Sequence, residues 1–113
     1  MNTYAYIYMM LVDIMGADNV YNLTPMKEVP YPFAVMGDET NDIMDTKTTG
    51  IGIVSASFDL WGKNRAELHQ LANKARTWLD KQGATDLEVV TIKDTSTPKL
   101  LWHINFNFKI KEF

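Results

Sequence analysis

The chain contains no cysteine, and this absence excludes several classes of protein at once. Disulfide-stapled scaffolds, zinc sites built from thiolates and enzymes with a cysteine nucleophile all require that residue. The sequence also lacks the short motifs of phosphate-binding loops, zinc proteases and serine hydrolases. It therefore gives no motif for catalysis, and we expect neither an enzyme nor a bound cofactor.

An excess of basic residues is also missing. The 11 Lys and Arg are outnumbered by 14 Asp and Glu, which gives a net charge of −3 and a pI near 5.2. A surface that binds many phosphates needs clustered Lys and Arg in excess. We therefore expect no specific binding of nucleic acid.

Charge is absent from the start of the chain, where the first charged residue is Asp13. A signal peptide would carry basic residues before its apolar run, and none occur here. The uncharged run from Met1 to Val12 is also shorter than the roughly 20 apolar residues of a membrane helix. The sequence thus predicts a soluble protein that is neither exported nor held in a membrane.

The overall composition is typical of one globular domain. The chain has 113 residues, of which 46% are hydrophobic and 22% charged, close to the average for folded proteins. A chain of this length can bury one core without metal or disulfide support. We expect a single domain over residues 1–113.

The first helix is predicted over residues 3–15 and is apolar on nearly all sides. One buried stripe has helical spacing and comprises Tyr4, Ile7, Tyr8, Leu11 and Met15. Tyr6, Met9, Met10 and Ile14 lie off that stripe. A helix of this kind is buried on more than one side. Two explanations stay open: the second side faces another subunit, or it lies under the irregular segment 17–30.

Period-two alternation and turn residues place the other elements. After a possible short extended piece at Val20 and Tyr21, the pattern predicts strands over 31–36, 51–61, 87–93 and 100–110, and a second helix from Asn64 to about Gln82. Asn64 and Glu67 form a capping pair, and Gly83 is a typical residue after a helix end. The prediction is an α+β fold in the order α-β-β-α-β-β, with a single mixed, mostly antiparallel β-sheet packed with two helices.

A long polar loop is predicted over residues 37–50, between the first two strands. Most connections in compact domains have about 4–6 residues, and longer ones are usually functional. Its acidic residues could suggest calcium, but Ile43 and Met44 interrupt them and the glycine and glutamate of an EF-hand loop are missing. We therefore expect no metal here, and interpret the segment as either a solvated loop or an arm that contacts a partner. The expected partner-contact residues are Tyr6, Met10, Asp38, Glu39, Asp42, Asp45 and Lys47.

The histidines and tryptophans are interpreted as structural. His69 is expected at the rim of the second helix's apolar stripe, and His103 on the polar face of the last strand. Trp61 is expected to pack beneath the helix that follows it, and Trp102 to anchor the core or an interface. The basic residues of the second helix are expected to be solvated, with an acidic neighbouring subunit as the next interpretation.

Four features in this order resemble phage tail-completion proteins of the tail-terminator or head–tail joining type. They are an N-terminal helix, the strand Tyr31-Pro32-Phe33-Ala34-Val35-Met36-Gly37-Asp38-Glu39-Thr40, the polar arm at Asp45-Thr46-Lys47, and a helix carrying Arg65, Leu68, Leu71, Ala72 and Leu79 that two strands follow. Together they span nearly the whole chain. Each feature alone is common, and the order and spacing carry the resemblance.

The resemblance implies a structural subunit without catalysis. It implies a ring, commonly of six copies, that ends the tail tube and joins it to the head connector or adaptor. The implied location is the virion tail or neck, with assembly in the host cytoplasm, from a phage or a prophage gene. The alternative from the fold class alone is a small-molecule-binding or enzymatic ferredoxin-like α+β dimer that uses the sheet face bearing His103.

Overall fold

The computed structural model describes residues 3–42, 53–94 and 101–111 of the chain. In chain order its elements are α1 (Thr3–Met15), β1 (Val20–Tyr21), β2 (Phe33–Asp42), β3 (Ile53–Gly62), α2 (Arg65–Lys81), β4 (Thr85–Asp94) and β5 (Leu101–Lys111). A single 3-10 turn, Ala17–Asn19, connects α1 to β1.

The strands form one sheet in the order β1-β2-β3-β5-β4. The short β1 pairs with β2 in parallel, and the other three pairings are antiparallel. Since β3 and β4 both run antiparallel to β5 between them, α2 connects two parallel strands in a split β-α-β arrangement. The predicted α+β class, with two helices and a mixed, mostly antiparallel sheet, is confirmed. The short extended piece suggested at Val20 and Tyr21 forms β1.

The core lies between the two helices and one face of the sheet. Every second residue of β3 is buried, as its alternation predicts, and the central Phe58 is fully buried. The matching face of β5 supplies Ile104, Phe106 and Phe108. Apolar side chains from α1 and α2 complete this cluster, so both helices of the described residues lie on the same face of the sheet.

Local signals determine both ends of α2. The Asn64 side chain accepts a hydrogen bond from the Glu67 amide at 3.0 Å, which satisfies a donor that the first helical turn leaves unpaired. At the other end Gly83 has φ of +76°, and the Ala84 amide donates to the Leu79 carbonyl at 3.0 Å. These are the expected N-cap and the glycine-based C-cap.

The structure corrects the prediction for β2. The strand was expected to end at Met36, but it begins at Phe33 and continues to Asp42, so residues 37–42 are strand rather than loop. The pairing register shifts between Met36 and Glu39, as it does when two residues oppose one across a bulge. A Cβ added at Gly37 would lie 2.0 Å from Ser57 Oγ and 2.7 Å from the Ser57 carbonyl oxygen. Gly37 therefore marks a close approach of two strands.

Other strand predictions need smaller corrections or cannot be compared. The strand β4 begins at Thr85 and contains a second register shift, where Asp86 has a positive φ of 51°. The rest of the predicted loop, residues 43–50, and residues 51, 52 and 100 of the predicted strands lie outside the described residues.

The helix α1 spans the predicted residues and buries Ile7, Leu11 and Met15 of the predicted stripe, but it also buries a residue that lies off that stripe. Met10 is only 6% exposed and belongs to the core, whereas its neighbour Met9 is 54% exposed. The reason is that Ile7, Met10 and Leu11 lie on one side of the helix at spacings of three and four residues. Tyr4 donates a hydrogen bond to Asn22, so the segment that follows α1 contacts one side of the helix.

Candidate functional site

The two helices leave an open groove between them that we call the helix groove. Its volume is about 680 Å³. Apolar side chains line it, contributed by Tyr6, Met9, Met10, Ile14 and Trp78. Tyr6 is 37% exposed and Met9 54%, so a part of this apolar surface is open to solvent.

Charged residues lie along the same groove. Lys74 and Lys81 on α2 and Asp13 on α1 contribute to its lining. The two lysines are seven residues apart, which is close to two helical turns and places them on one side of α2. The helix groove therefore combines an apolar surface with two lysines and one aspartate, and it can bind an apolar segment that carries negative charge.

The sheet face away from the helices carries a row of rings that we call the aromatic row. Trp61 stacks on His103 with ring centroids 4.0 Å apart and on Phe33 at 6.3 Å. The expectation that Trp61 packs beneath α2 is wrong. Since side chains alternate along β3, burial of Leu60 beneath the helices directs Trp61 to the opposite face.

A hydrogen-bonded carboxylate lies beside the aromatic row. The Asp59 Oδ1 atom lies 2.8 Å from His103 Nε2 and accepts a hydrogen bond from Asn105 Nδ2 at 2.6 Å. Partial burial raises the pKa of Asp59, but the hydrogen bonds from His103 and Asn105 and the charge of His103 together lower it below its usual value. His103 is thus held between Trp61 and Asp59, in agreement with the structural role expected from the sequence.

We expect Asp59→Asn to destabilise the protein at neutral pH by about 1–3 kcal/mol, because it removes the negative charge that strengthens the hydrogen bonds from His103 and Asn105 at a partly buried position. The lowered pKa of Asp59 means that its ionised form stabilises the fold above the pKa of the unfolded chain. This contribution is lost as the pH falls through the lower pKa of the folded chain. The difference in stability between wild type and variant should therefore shrink below about pH 4.

Urea titrations across a pH series measure that difference. Asp80→Asn is the matched control, since Asp80 is exposed on α2 and its loss should change stability by less than about 0.5 kcal/mol. A gap between wild type and Asp59→Asn that stays constant from neutral pH to pH 3 would contradict the role assigned to this carboxylate.

The partner-contact residues expected from the sequence fall into three groups. Tyr6 and Met10 line the helix groove, Met10 as a buried residue. Asp38, Glu39 and Asp42 belong to β2 rather than to a loop. Asp45 and Lys47 lie outside the described residues.

The sequence did not indicate that α1 and α2 line a common groove. Lys74 and Lys81 belong to the basic residues of α2 that the sequence predicts to be solvated. Both lysines are indeed exposed, but they share a groove with Met9 and Ile14 of the other helix. The seven-residue spacing of the lysines was the available signal, and it does not reveal which element lies opposite.

The alternative small-molecule site receives little support from the sheet face. A second, smaller groove of about 270 Å³ lies near Ser55, Ser57 and Asn107. Neither groove includes Asp59 or His103 among its lining residues. Within residues 3–42, 53–94 and 101–111, no three His, Asp or Glu side chains come together as metal ligands would. In the same ranges no helix is long and apolar enough to cross a membrane.

Comparison with known proteins identifies a structural similarity only. No protein-family model matches the chain. No curated protein matches it either. A solved structure described as the virion of a native gene transfer agent (GTA) particle contains a chain with the same fold, at a TM-score of 0.58 and 13% sequence identity. The match covers 97% of this chain and 93% of that chain.

Proposed function

We propose that the chain is a single-domain structural subunit of a phage or phage-like particle, located in the tail or neck. One observation carries the proposal: nearly the whole chain has the fold of a chain found in a virion. Since the match covers both chains almost completely, the similarity concerns a whole subunit rather than a common motif. The resemblance of the sequence to tail-completion proteins supports the same assignment independently.

The finer proposal is a ring, with six copies as the expected number, that ends the tail tube and joins it to the head connector. A ring of identical subunits forms when a head-to-tail contact repeats by a rotation that closes. The helix groove supports such a contact because it exposes Tyr6 and Met9 beside charged residues. The subunit would act by binding neighbouring subunits, the tube protein and the connector, without catalysis or cofactor.

Native mass spectrometry of the purified chain over a range of concentrations tests the ring. We expect a closed oligomer, with six copies as the dominant species or in equilibrium with the monomer. Negative-stain electron microscopy of the same sample should show rings with a central opening. A stable dimer with no larger species at any concentration would contradict the ring and favour the ligand-binding alternative.

A further inference from the structure

A second exposed apolar surface lies on the strand β4, at the edge of the sheet. Val90 is 47% exposed and Ile92 44%, and Glu88 is also exposed. These three residues occupy every second position of β4, so their side chains lie on one face of the sheet. We call them the β4 patch. It combines two apolar side chains with a carboxylate, whereas the helix groove combines apolar side chains with two lysines and one aspartate.

The pairing register places the β4 patch on the side of the sheet away from the helices. Ile92 pairs with His103, and Val90 pairs with Asn105. Residues directly opposite each other in a ladder share a face of the sheet. Since His103 belongs to the aromatic row, the β4 patch continues that row to the edge of the sheet. The helix groove lies on the other side, between α1 and α2.

These positions fit a head-to-tail contact between copies. In a two-fold dimer a patch meets its own equivalent, whereas a head-to-tail contact joins two different patches of the subunit. The helix groove and the β4 patch are two such patches, and they lie on opposite sides of one sheet. Sheets and helices bury their apolar faces by packing in layers, so the helix layer of one copy can cover the sheet face of the next.

The dimensions and charges of the two surfaces also agree. The part of α2 that lines the groove extends from Asn73 to Lys81, which is about 12 Å at a rise of about 1.5 Å per residue. The β4 patch extends from Glu88 to Ile92, which is about 13 Å at about 3.3 Å per residue. A strand lying along α2 thus brings its carboxylate near one of the two lysines and its apolar side chains onto the apolar lining.

Leu23 and Met26 form another exposed apolar pair, in the segment between β1 and β2. The residues that follow them are Lys27 and Glu28, whose charges cancel. This segment therefore complements the two lysines of the groove less well than the β4 patch does, and it serves as the comparison surface in the test.

We propose that the β4 patch of one copy packs in the helix groove of the neighbouring copy. This inference rests on the proposed function, since it assumes that copies of the chain assemble. Each copy supplies one β4 patch and one groove, which is a contact of the kind that closes rings. It gives both exposed apolar surfaces the same partner, a second copy of the chain.

Cross-linking tests the contact directly, because the natural chain has no cysteine. Met9→Cys and Ile92→Cys are made as separate variants, mixed in equal amounts and oxidised gently. We expect covalent dimers in the mixture and few in either variant alone. The chain carrying both substitutions should give a ladder of covalent oligomers, since the sheet separates the two positions within one copy.

The control mixes Met9→Cys with Met26→Cys. Met26 is fully exposed at 102%, so random collisions reach it at least as easily as they reach Ile92. This mixture should give few dimers, and a yield equal to or above that of the test mixture would overturn the inference. So would a double variant that stays monomeric after oxidation under conditions in which the wild type assembles.

Charge reversal gives a second readout. Lys74→Glu together with Lys81→Glu should weaken assembly by at least about tenfold, and adding Glu88→Lys should recover part of that loss. Arg76→Glu is the control, an exposed residue of α2 that is not among the groove-lining residues. Unchanged assembly of the lysine variant would overturn this contact while leaving the ring intact. Failure of the wild-type chain to assemble in native mass spectrometry would instead contradict the proposed function itself.

Discussion

Replacing Phe58 with Ala is expected to lower the free energy of unfolding by about 3–5 kcal/mol. Phe58 is fully buried at the centre of the sheet and stacks on Phe106 with ring centroids 4.5 Å apart. It also contacts Phe108 edge-on at 5.8 Å. The substitution removes these contacts and leaves a cavity that the surrounding β-strands cannot fill. Since domains are stable by only about 5–15 kcal/mol, the loss is a large part of the total.

Urea unfolding of the monomeric chain, followed by circular dichroism, measures this effect. Phe58→Leu should cost much less, about 1–2 kcal/mol, because most of the volume is kept. Leu23→Ala serves as the exposed control and should change stability by less than about 0.5 kcal/mol. A loss below about 1 kcal/mol for Phe58→Ala would contradict the core described for this sheet.

Two adjacent methionines should give opposite results when each is changed to lysine. Met9→Lys is expected to leave the fold intact and to weaken assembly more than about a hundredfold, because it places a charge in an apolar contact between copies. Met10→Lys is expected to destabilise the fold itself by at least about 2–5 kcal/mol. Met9 is 54% exposed in the helix groove, whereas Met10 is 6% exposed and packs in the core.

Native mass spectrometry and circular dichroism together separate these effects. Tyr6→Lys provides a second groove variant and should resemble Met9→Lys in its loss of assembly. If Met9→Lys forms the same oligomer as the wild type at the same concentrations, the helix groove is not a contact between copies. If Met10→Lys is as stable as the wild type, the assignment of Met10 to the core is wrong.

Several elements followed directly from local sequence. The bounds of α1, both caps of α2 and the alternation of β3 were predicted correctly, because each depends on neighbouring residues within one element. A helix buries residues at spacings of three and four, and a strand buries every second residue. Asn64 and Gly83 act on amides and carbonyls of their own helix, so no distant contact is needed to recognise them.

Predictions from the sequence were wrong where the role of a residue depends on contact with a residue far away in the chain. The polar residues that follow Gly37 suggested that the strand ends there. In the structure the strand continues, and Gly37 has no room for a side chain because Ser57 on the neighbouring strand lies too close. By its sequence context Trp61 was predicted to pack beneath α2, yet the register of β3 places it against His103 on the sheet face opposite α1 and α2. Neither role is visible from local pattern, since both depend on how two strands pair.

The same distinction between local pattern and distant contact applies to the residues of the candidate site. Sequence alone identified the apolar excess of α1, including Tyr6, and the acidic residues that follow Met36, because composition and period show both. Only the tertiary structure decided that Met10 is buried, that Met9 is exposed, and that Lys74 and Lys81 lie along one groove with α1. The physical reason is that periodicity determines which side of a helix is apolar, while packing against other elements determines which part of that side remains open to a partner.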